Sequence, residues 1–223
     1  MRNLKLSASI MCADLMNLGQ DLRTLEQKRF SYLHFDLMDG HFVPEVGLGV
    51  FFLEQITRSH TLPVDVHLMV TDPEPYLDPL IAAGASLISI HCEIDGDKGR
   101  LLHSIRQKGR RAGLAIKPET PLNSILPFLD MIDLVLLMAY APGVRHQKAT
   151  PGFEKRIREL AQLLDTHGKN AVDIAVDGGV TEELMKRYRE SGANFFILGS
   201  SGLFLPHTSL AQQADRVQLI FNG

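Results

Sequence analysis

Cysteine is almost absent from this chain of 223 residues: Cys12 and Cys92 are the only two, with neither a pairing framework nor a zinc-type spacing. A disulfide scaffold and a cysteine zinc site are thereby excluded, and the expected setting is a reducing cytoplasm with both thiols as packing residues. Charge of one sign is also lacking, the formal net charge being −3. Nucleic acid and anionic membrane are therefore not the expected partners; small molecules and other copies of the chain are. No apolar run reaches the length of a membrane span, and Met1-Arg2-Asn3-Leu4-Lys5 leads into a strand-like run without a signal-peptide pattern. A soluble, unprocessed protein is the expectation. Low-complexity linkers, long charge runs, a Walker-type loop and a GxGxxG fingerprint are missing too.

What is present is alternation. With 45% hydrophobic residues the chain can build one large α/β domain over residues 1–223. Short β-rich runs fall at residues 4–10, 32–38, 64–70, 87–92, 112–117, 134–139, 174–177 and 195–199, each followed by a segment able to form a helix. Helical spacing is plain in Leu15, Leu18, Leu22 and Leu25, and in Ile157, Leu160, Leu163 and Leu164. Eight βα units in a chain slightly below the usual ~250 residues predict a compact, single-domain (β/α)8 TIM barrel. A doubly wound open sheet is the competing architecture.

Barrel active sites lie where strands end and βα loops begin, and the chemistry-bearing residues fall there. Residues two apart on a strand share a face, so His34 and Asp36 reach one centre, and His67 and Asp177 complete a shell of four. Imidazole with carboxylate suits zinc, iron, manganese or cobalt better than calcium, so one divalent ion of that group is the predicted cofactor. Beside such an ion, paired carboxylates suit proton abstraction next to a carbonyl, the ion stabilising the oxyanion. Asp36 and Asp177, on nearly opposite strands, would address the two faces of a flat enediolate and invert a stereocentre. Met38, Met69 and Met138 at three strand ends would line the site; the competing reading is a Met-filled core. Gly178-Gly179 and Gly199-Ser200 follow the last two strands, where backbone N–H groups commonly hold phosphate, although tight turns alone also use such glycines.

These segments carry a resemblance. LSASIM at 6–11, LHFDLMDGHFVP at 33–44, VDVHLMV at 64–70, KPETP at 117–121, VDGGV at 176–180 and LGSSGLF at 198–204 resemble the ribulose-phosphate 3-epimerase family over almost the full length. The resemblance implies a metal-dependent epimerisation at C3 of a ketose phosphate. It implies His34, Asp36, His67 and Asp177 as ligands, Asp36 and Asp177 as the acid/base pair, Ser9 near the substrate hydroxyls, and a homo-oligomer. Ribulose 5-phosphate is the first expected substrate. Met11-Cys12 and the segment 200–204 also resemble the branch acting on allulose 6-phosphate, and another ketose phosphate is the third choice. The chain departs from the family after the sixth strand, where Ala141-Pro142-Gly143-Val144-Arg145-His146-Gln147-Lys148 replaces a glycine-rich phosphate loop. Arg145, His146 or Lys148 are candidates to meet phosphate by charge instead, against a solvated basic loop. Lys117 and Ala8 stand where the family commonly has Asn and Pro. The decarboxylase motif Asp-x-Lys-x-x-Asp is broken by His67 and Val70, which disfavours that reaction; a non-catalytic sugar-phosphate binder remains a distant alternative.

Overall fold

A computed structural model describes residues 2–144 and 147–222. Eight parallel strands close in sequence order, β1 pairing with both β2 and β8. They are β1 (Lys5–Ser9), β2 (Tyr32–Met38), β3 (Val64–Met69), β4 (Leu87–His91), β5 (Arg111–Ile116), β6 (Leu134–Met138), β7 (Asp173–Asp177) and β8 (Phe195–Leu198). The predicted barrel is the observed one, with strand bounds within two residues of those expected. Among the described residues the helices are α1 (Leu18–Gln27), α2 (Val50–Ser59), α3 (Glu74–Ala82), α4 (Lys98–Gln107), α5 (Phe153–Thr166), α6 (Glu182–Glu190) and α7 (Leu210–Asn222). None is long and apolar enough to cross a membrane.

Two expectations about helices need correction. The β5–β6 connection is a 3₁₀ segment, Leu122–Phe128, not an α-helix; Pro121 precedes it and Pro127 lies within it, and proline removes the backbone donors an α-helix would need. Leu15 does not extend the stripe of α1. Asp14 captures the Met16 amide at 3.0 Å and the Asn17 side chain at 2.7 Å, so a local turn occupies this stretch and the helix starts at Leu18, leaving Leu15 exposed. Leu18, Leu22 and Leu25 of α1, and Ile157, Leu160 and Leu164 of α5, are buried against the barrel as their spacing predicts.

Strand alternation separates two main apolar regions among the described residues, with Met38, Val43 and Met69 forming a small third cluster. Outward residues such as Leu33, Phe35, Val66, Ile88, Leu114 and Val135 pack under the helices. Inside the barrel, Leu87, Ala115, Leu134, Leu136, Met138, Ala175, Phe195 and Ile197 form a second cluster, drawn mainly from β6–β8. The opposite half of the interior is polar: Ser7, Ser9, His34, Asp36, Asp65, His67, Ser89 and His91 come from β1–β4 and are all buried. At the N-terminal end, Asp173 accepts from Lys5 Nζ at 2.6 Å, Arg111 Nη2 at 2.6 Å and Asn194 Nδ2 at 2.7 Å. A buried carboxylate surrounded by two cations and an amide closes that end, so the opening lies at the other.

Candidate active site

Register brings the polar residues to one place. Pairing of β2 with β3 sets Asp36 beside His67, His34 beside Asp65 and Met38 beside Met69, while Met138 of β6 pairs with Asp177 of β7. One ligand atom each from His34, Asp36, His67 and Asp177 then lies within 4.8 Å of all the others. His34 Nε2 is 3.1 Å from Asp36 Oδ1 and 4.0 Å from Asp177 Oδ2. His67 Nδ1 is 3.3 Å from Asp36 Oδ1 and 4.0 Å from Asp177 Oδ2. Ser9 Oγ donates to Asp36 Oδ2 at 3.4 Å.

Each imidazole uses its other nitrogen for support. His34 Nδ1 makes a short hydrogen bond to Asp65, whose second oxygen accepts from Ser7 Oγ. His67 Nε2 is 2.9 Å from His91 Nε2, and His91 Nδ1 is 2.9 Å from Glu93 Oε2. Glu93 also accepts from the Lys117 amide at 2.8 Å and from Thr120 Oγ1. Only one proton order satisfies this chain with His91 neutral and an inward lone pair on His67 Nδ1: His67 Nε2–H donates to His91 Nε2, and His91 Nδ1–H donates to Glu93. Burial pushes the His91 pKa down to about 4, so the ring stays neutral. Burial alone would raise Glu93, but His91, Thr120 and the Lys117 amide hold its carboxyl at about 2.

The carboxylates of the cluster diverge. Burial opposes ionisation of Asp36, yet His34 and His67 outweigh it and hold its pKa far below the usual range. Burial, with the Asp36 charge adding to it, raises Asp177 despite the two imidazoles. For His34, burial disfavours the charged ring, but the Asp65 and Asp36 carboxylates raise its pKa well above normal. Opposite shifts in two adjacent acids mark functional sites more often than structural ones.

Above the cluster opens a cavity of about 360 Å³, lined by Ser9, Met38, Met69, Met138, Gly178, Gly179, Gly199 and Ser200 among others. These eight are positions expected from sequence to line the site or bind substrate; His67, expected there as well, belongs to the cluster and is not among the lining residues. Gly47 lets the chain after β2 fold back onto that strand, because a Cβ there would stand 2.7 Å from the Asp36 carbonyl oxygen and 2.8 Å from the Met38 amide nitrogen. Asp39 pins the rim: its carboxylate accepts from the His41, Phe42 and Thr71 amides, each at 2.8 Å. Residues 200–203 are turns folded back on the Gly199 carbonyl rather than a helix. Lys148 is exposed and does not line the cavity; Arg145 and His146 lie outside the described residues. Sequence reasoning missed Asp65, His91, Glu93 and Tyr140. The first two carry the same signal that found His34 with Asp36, namely an inward position on a strand.

Fold and site define a barrel of the enzyme type, with two imidazoles and two carboxylates gathered at its open end beside the cavity. Residues 5–204 match the ribulose-phosphate 3 epimerase family, and the chain belongs to that family. It is 36% identical over 198 residues to the ribulose-phosphate 3-epimerase of Bacillus subtilis, covering 89% of this chain and 91% of that one. It is 37% identical over 204 residues to ribulose-phosphate 3-epimerase 1 of Cupriavidus necator, covering 90% and 84%. The chain is thus an isomerase acting on carbohydrates, and its relatives support ketose-phosphate 3-epimerase activity. Among solved structures, KGPDC from Streptococcus mutans superposes with a TM-score of 0.75 at 10% identity, covering 98% of this chain and 97% of that one. That likeness speaks to the fold alone.

Proposed function

We propose that the chain interconverts D-ribulose 5-phosphate and D-xylulose 5-phosphate, using one divalent ion and the Asp36–Asp177 pair. The carrying observation is the cluster itself: four ligand atoms within 4.8 Å of one another at the open end of the barrel. The donor set fits a zinc, iron, manganese or cobalt ion, because each imidazole turns one nitrogen inward while Asp65 or His91 takes the proton of the other. His34, Asp36, His67 and Asp177 would hold the ion. When bound, it supplies positive charge that stabilises the oxyanion formed beside C3.

Asp36 from β2 and Asp177 from β7 approach the cavity from different sides of the ring. One carboxylate takes the C3 proton from one face of the substrate, and the other carboxyl returns a proton to the opposite face, which inverts the centre. Ser9, donating to Asp36, orients that carboxylate and faces the substrate hydroxyls. Met38, Met69 and Met138 wall the reacting carbons with side chains that offer water no strong partner. Backbone N–H groups around Gly178, Gly179, Gly199 and Ser200 receive the phosphate end. The names of the relatives favour the five-carbon substrate.

The test is proton NMR in D2O on metal-loaded protein given ribulose 5-phosphate and allulose 6-phosphate together. Deuterium entry at C3 with epimer formation, faster on ribulose 5-phosphate, is the expected result. Faster turnover of allulose 6-phosphate would reassign the substrate, and no exchange on either would reject the proposal. Asp177→Asn should abolish epimer formation while the protein still takes up metal with reduced affinity; undiminished turnover would remove Asp177 from the mechanism.

A further inference from the structure

The seam between β7 and β8 is held from outside the sheet. The ladder joining these strands pairs Ala175 with Phe195 and Val176 with Phe196, and stops short of Asp177. Beyond it, Gly178-Gly179 after β7 and Gly199-Ser200 after β8 both line the cavity. Two features close the gap between these segments. Gly202 packs backbone on backbone, since a Cβ there would stand 2.3 Å from the Val180 carbonyl oxygen. Gln213, in the first turn of α7 and 0% exposed, then bridges both segments with one amide nitrogen. Its Nε2 donates to the Gly202 carbonyl oxygen at 2.8 Å and to Glu182 Oε1, at the start of α6, also at 2.8 Å.

A carbonyl and a carboxylate only accept, so the nitrogen of the Gln213 amide is the end that faces them. Its Oε1 is buried without a hydrogen-bond partner among the described residues. A buried acceptor left unmade costs about what a made hydrogen bond contributes, so the two bonds of Nε2 add little net stability. Their effect is geometric. The turn after β8 is folded on the Gly199 carbonyl oxygen, which accepts from the Gly202, Leu203 and Phe204 amides at 3.3, 2.9 and 3.1 Å; holding Gly202 therefore holds Gly199 and Ser200. We infer that Gln213 is a positioning residue for the substrate's phosphate: by tying the Gly202 carbonyl to Glu182, it fixes the spacing of the Gly178-Gly179 and Gly199-Ser200 backbones that receive the anion. Groups already held in place lose less freedom on binding, which is how a residue outside the cavity raises affinity within it. The inference rests on the ketose-phosphate reading of the site.

Gln213→Met keeps the length of the side chain and removes both bonds. It exchanges the orphan Oε1 for an unpartnered Gly202 carbonyl, so the melting temperature should stay near that of wild type. KM for ribulose 5-phosphate should rise about tenfold with kcat within about twofold, since neither Asp36 nor Asp177 is touched. The dissociation constant of inorganic phosphate should rise by a similar factor in 31P NMR titrations. Zinc-loaded and metal-free protein are both titrated, which tells anion held by the ion from anion held by the turns. Glu182→Ala, at a half-buried position, removes one of the two tethers; it should give a smaller rise, and it carries the same test should Gln213→Met not fold. Val217→Ala, a buried truncation on the same helix, should lower the melting temperature and leave KM and phosphate affinity unchanged. Phosphate affinity of Gln213→Met within about twofold of wild type, or an equal loss in Val217→Ala, would overturn the inference. So would a metal-free wild type that binds no phosphate. Should wild type bind phosphate yet epimerise no ketose phosphate, the functional reading fails, while the variants still decide whether Gln213 positions the anion site.

Discussion

The support behind His67 makes a quantitative prediction about metal affinity. His91→Phe keeps a ring of similar size where His91 stacks between Phe42, centroids 4.6 Å apart, and His67, centroids 5.0 Å apart. What it removes is the acceptor 2.9 Å from His67 Nε2. That N–H is then stranded on a side chain with 0% exposure, at a cost of about 1–3 kcal/mol. The ring can escape the cost by moving its proton to Nδ1, the nitrogen 3.3 Å from Asp36 that must keep its lone pair for an ion. Either way the ligand form of His67 is disfavoured by that amount. Loss of a supporting partner commonly lowers metal affinity by about 10–100-fold, or roughly 1.4–2.8 kcal/mol, the same range reached independently.

The assay is competition between the apo protein and a chromophoric chelator for Zn²⁺ or Co²⁺, with the visible spectrum of bound Co²⁺ reporting geometry. A Glu93→Gln protein should fall between wild type and His91→Phe, because the amide oxygen still accepts from His91 Nδ1–H but without charge. That ordering is not expected of a merely loosened barrel, which would also lower the melting temperature in proportion. Metal affinity of His91→Phe within about twofold of wild type would refute the reasoning.

At the closed end of the barrel, Asp173→Ala would leave Lys5 and Arg111 facing each other without the carboxylate now 2.6 Å from each. Destabilisation of about 3 kcal/mol in urea unfolding is expected, and a loss under about 1 kcal/mol would show that the triad contributes little. The acid limb of stability should carry the signature of Glu93, whose carboxyl is held at about 2 in the fold against an ordinary 4.5. A depressed carboxyl stabilises fully above its unfolded value and loses that contribution as pH falls from about 4.5 toward 2. In metal-free protein Glu93→Gln should flatten the stability curve in that window, and denaturant titrations at about pH 6 and pH 3 check it; an unchanged slope would place the proton elsewhere.

How far the sequence reaches can be judged residue by residue. His34 and Asp36 are two apart on one strand, so local alternation alone places them on one face, and the same rule covers Ser89 with His91 and Asp65 with His67. Which of these inward residues reaches the cluster and which stands behind it is another matter. It depends on the stagger that pairs Asp36 with His67 but His67 with Ser89, a property of the closed ring rather than of any one strand. Leu15 failed as a helix position because Asp14 offered the backbone a competing turn. The 3₁₀ segment was legible in principle from Pro121 and Pro127. Tyr140 lay beyond reach, since nothing local says that a loop tyrosine will settle on two glycines that follow the next strand.

The division of the interior explains why two aspartates on one site behave differently. Asp36 rises from the polar half, where Ser9 and both imidazoles lie within 3.4 Å of its oxygens. Asp177 rises from β7, between the apolar interior of β6 and that of β8, and meets the same imidazoles only at 4.0 Å. Identical side chains are thus placed in unlike surroundings by the strand each belongs to, and their pKa values move in opposite directions before any ligand arrives. A symmetric pair would share one proton between equals. A barrel polar over β1–β4 and apolar over β6–β8 instead distinguishes the two faces of whatever flat intermediate lies between them, and an enzyme that must take a proton on one side and return it on the other has use for that distinction.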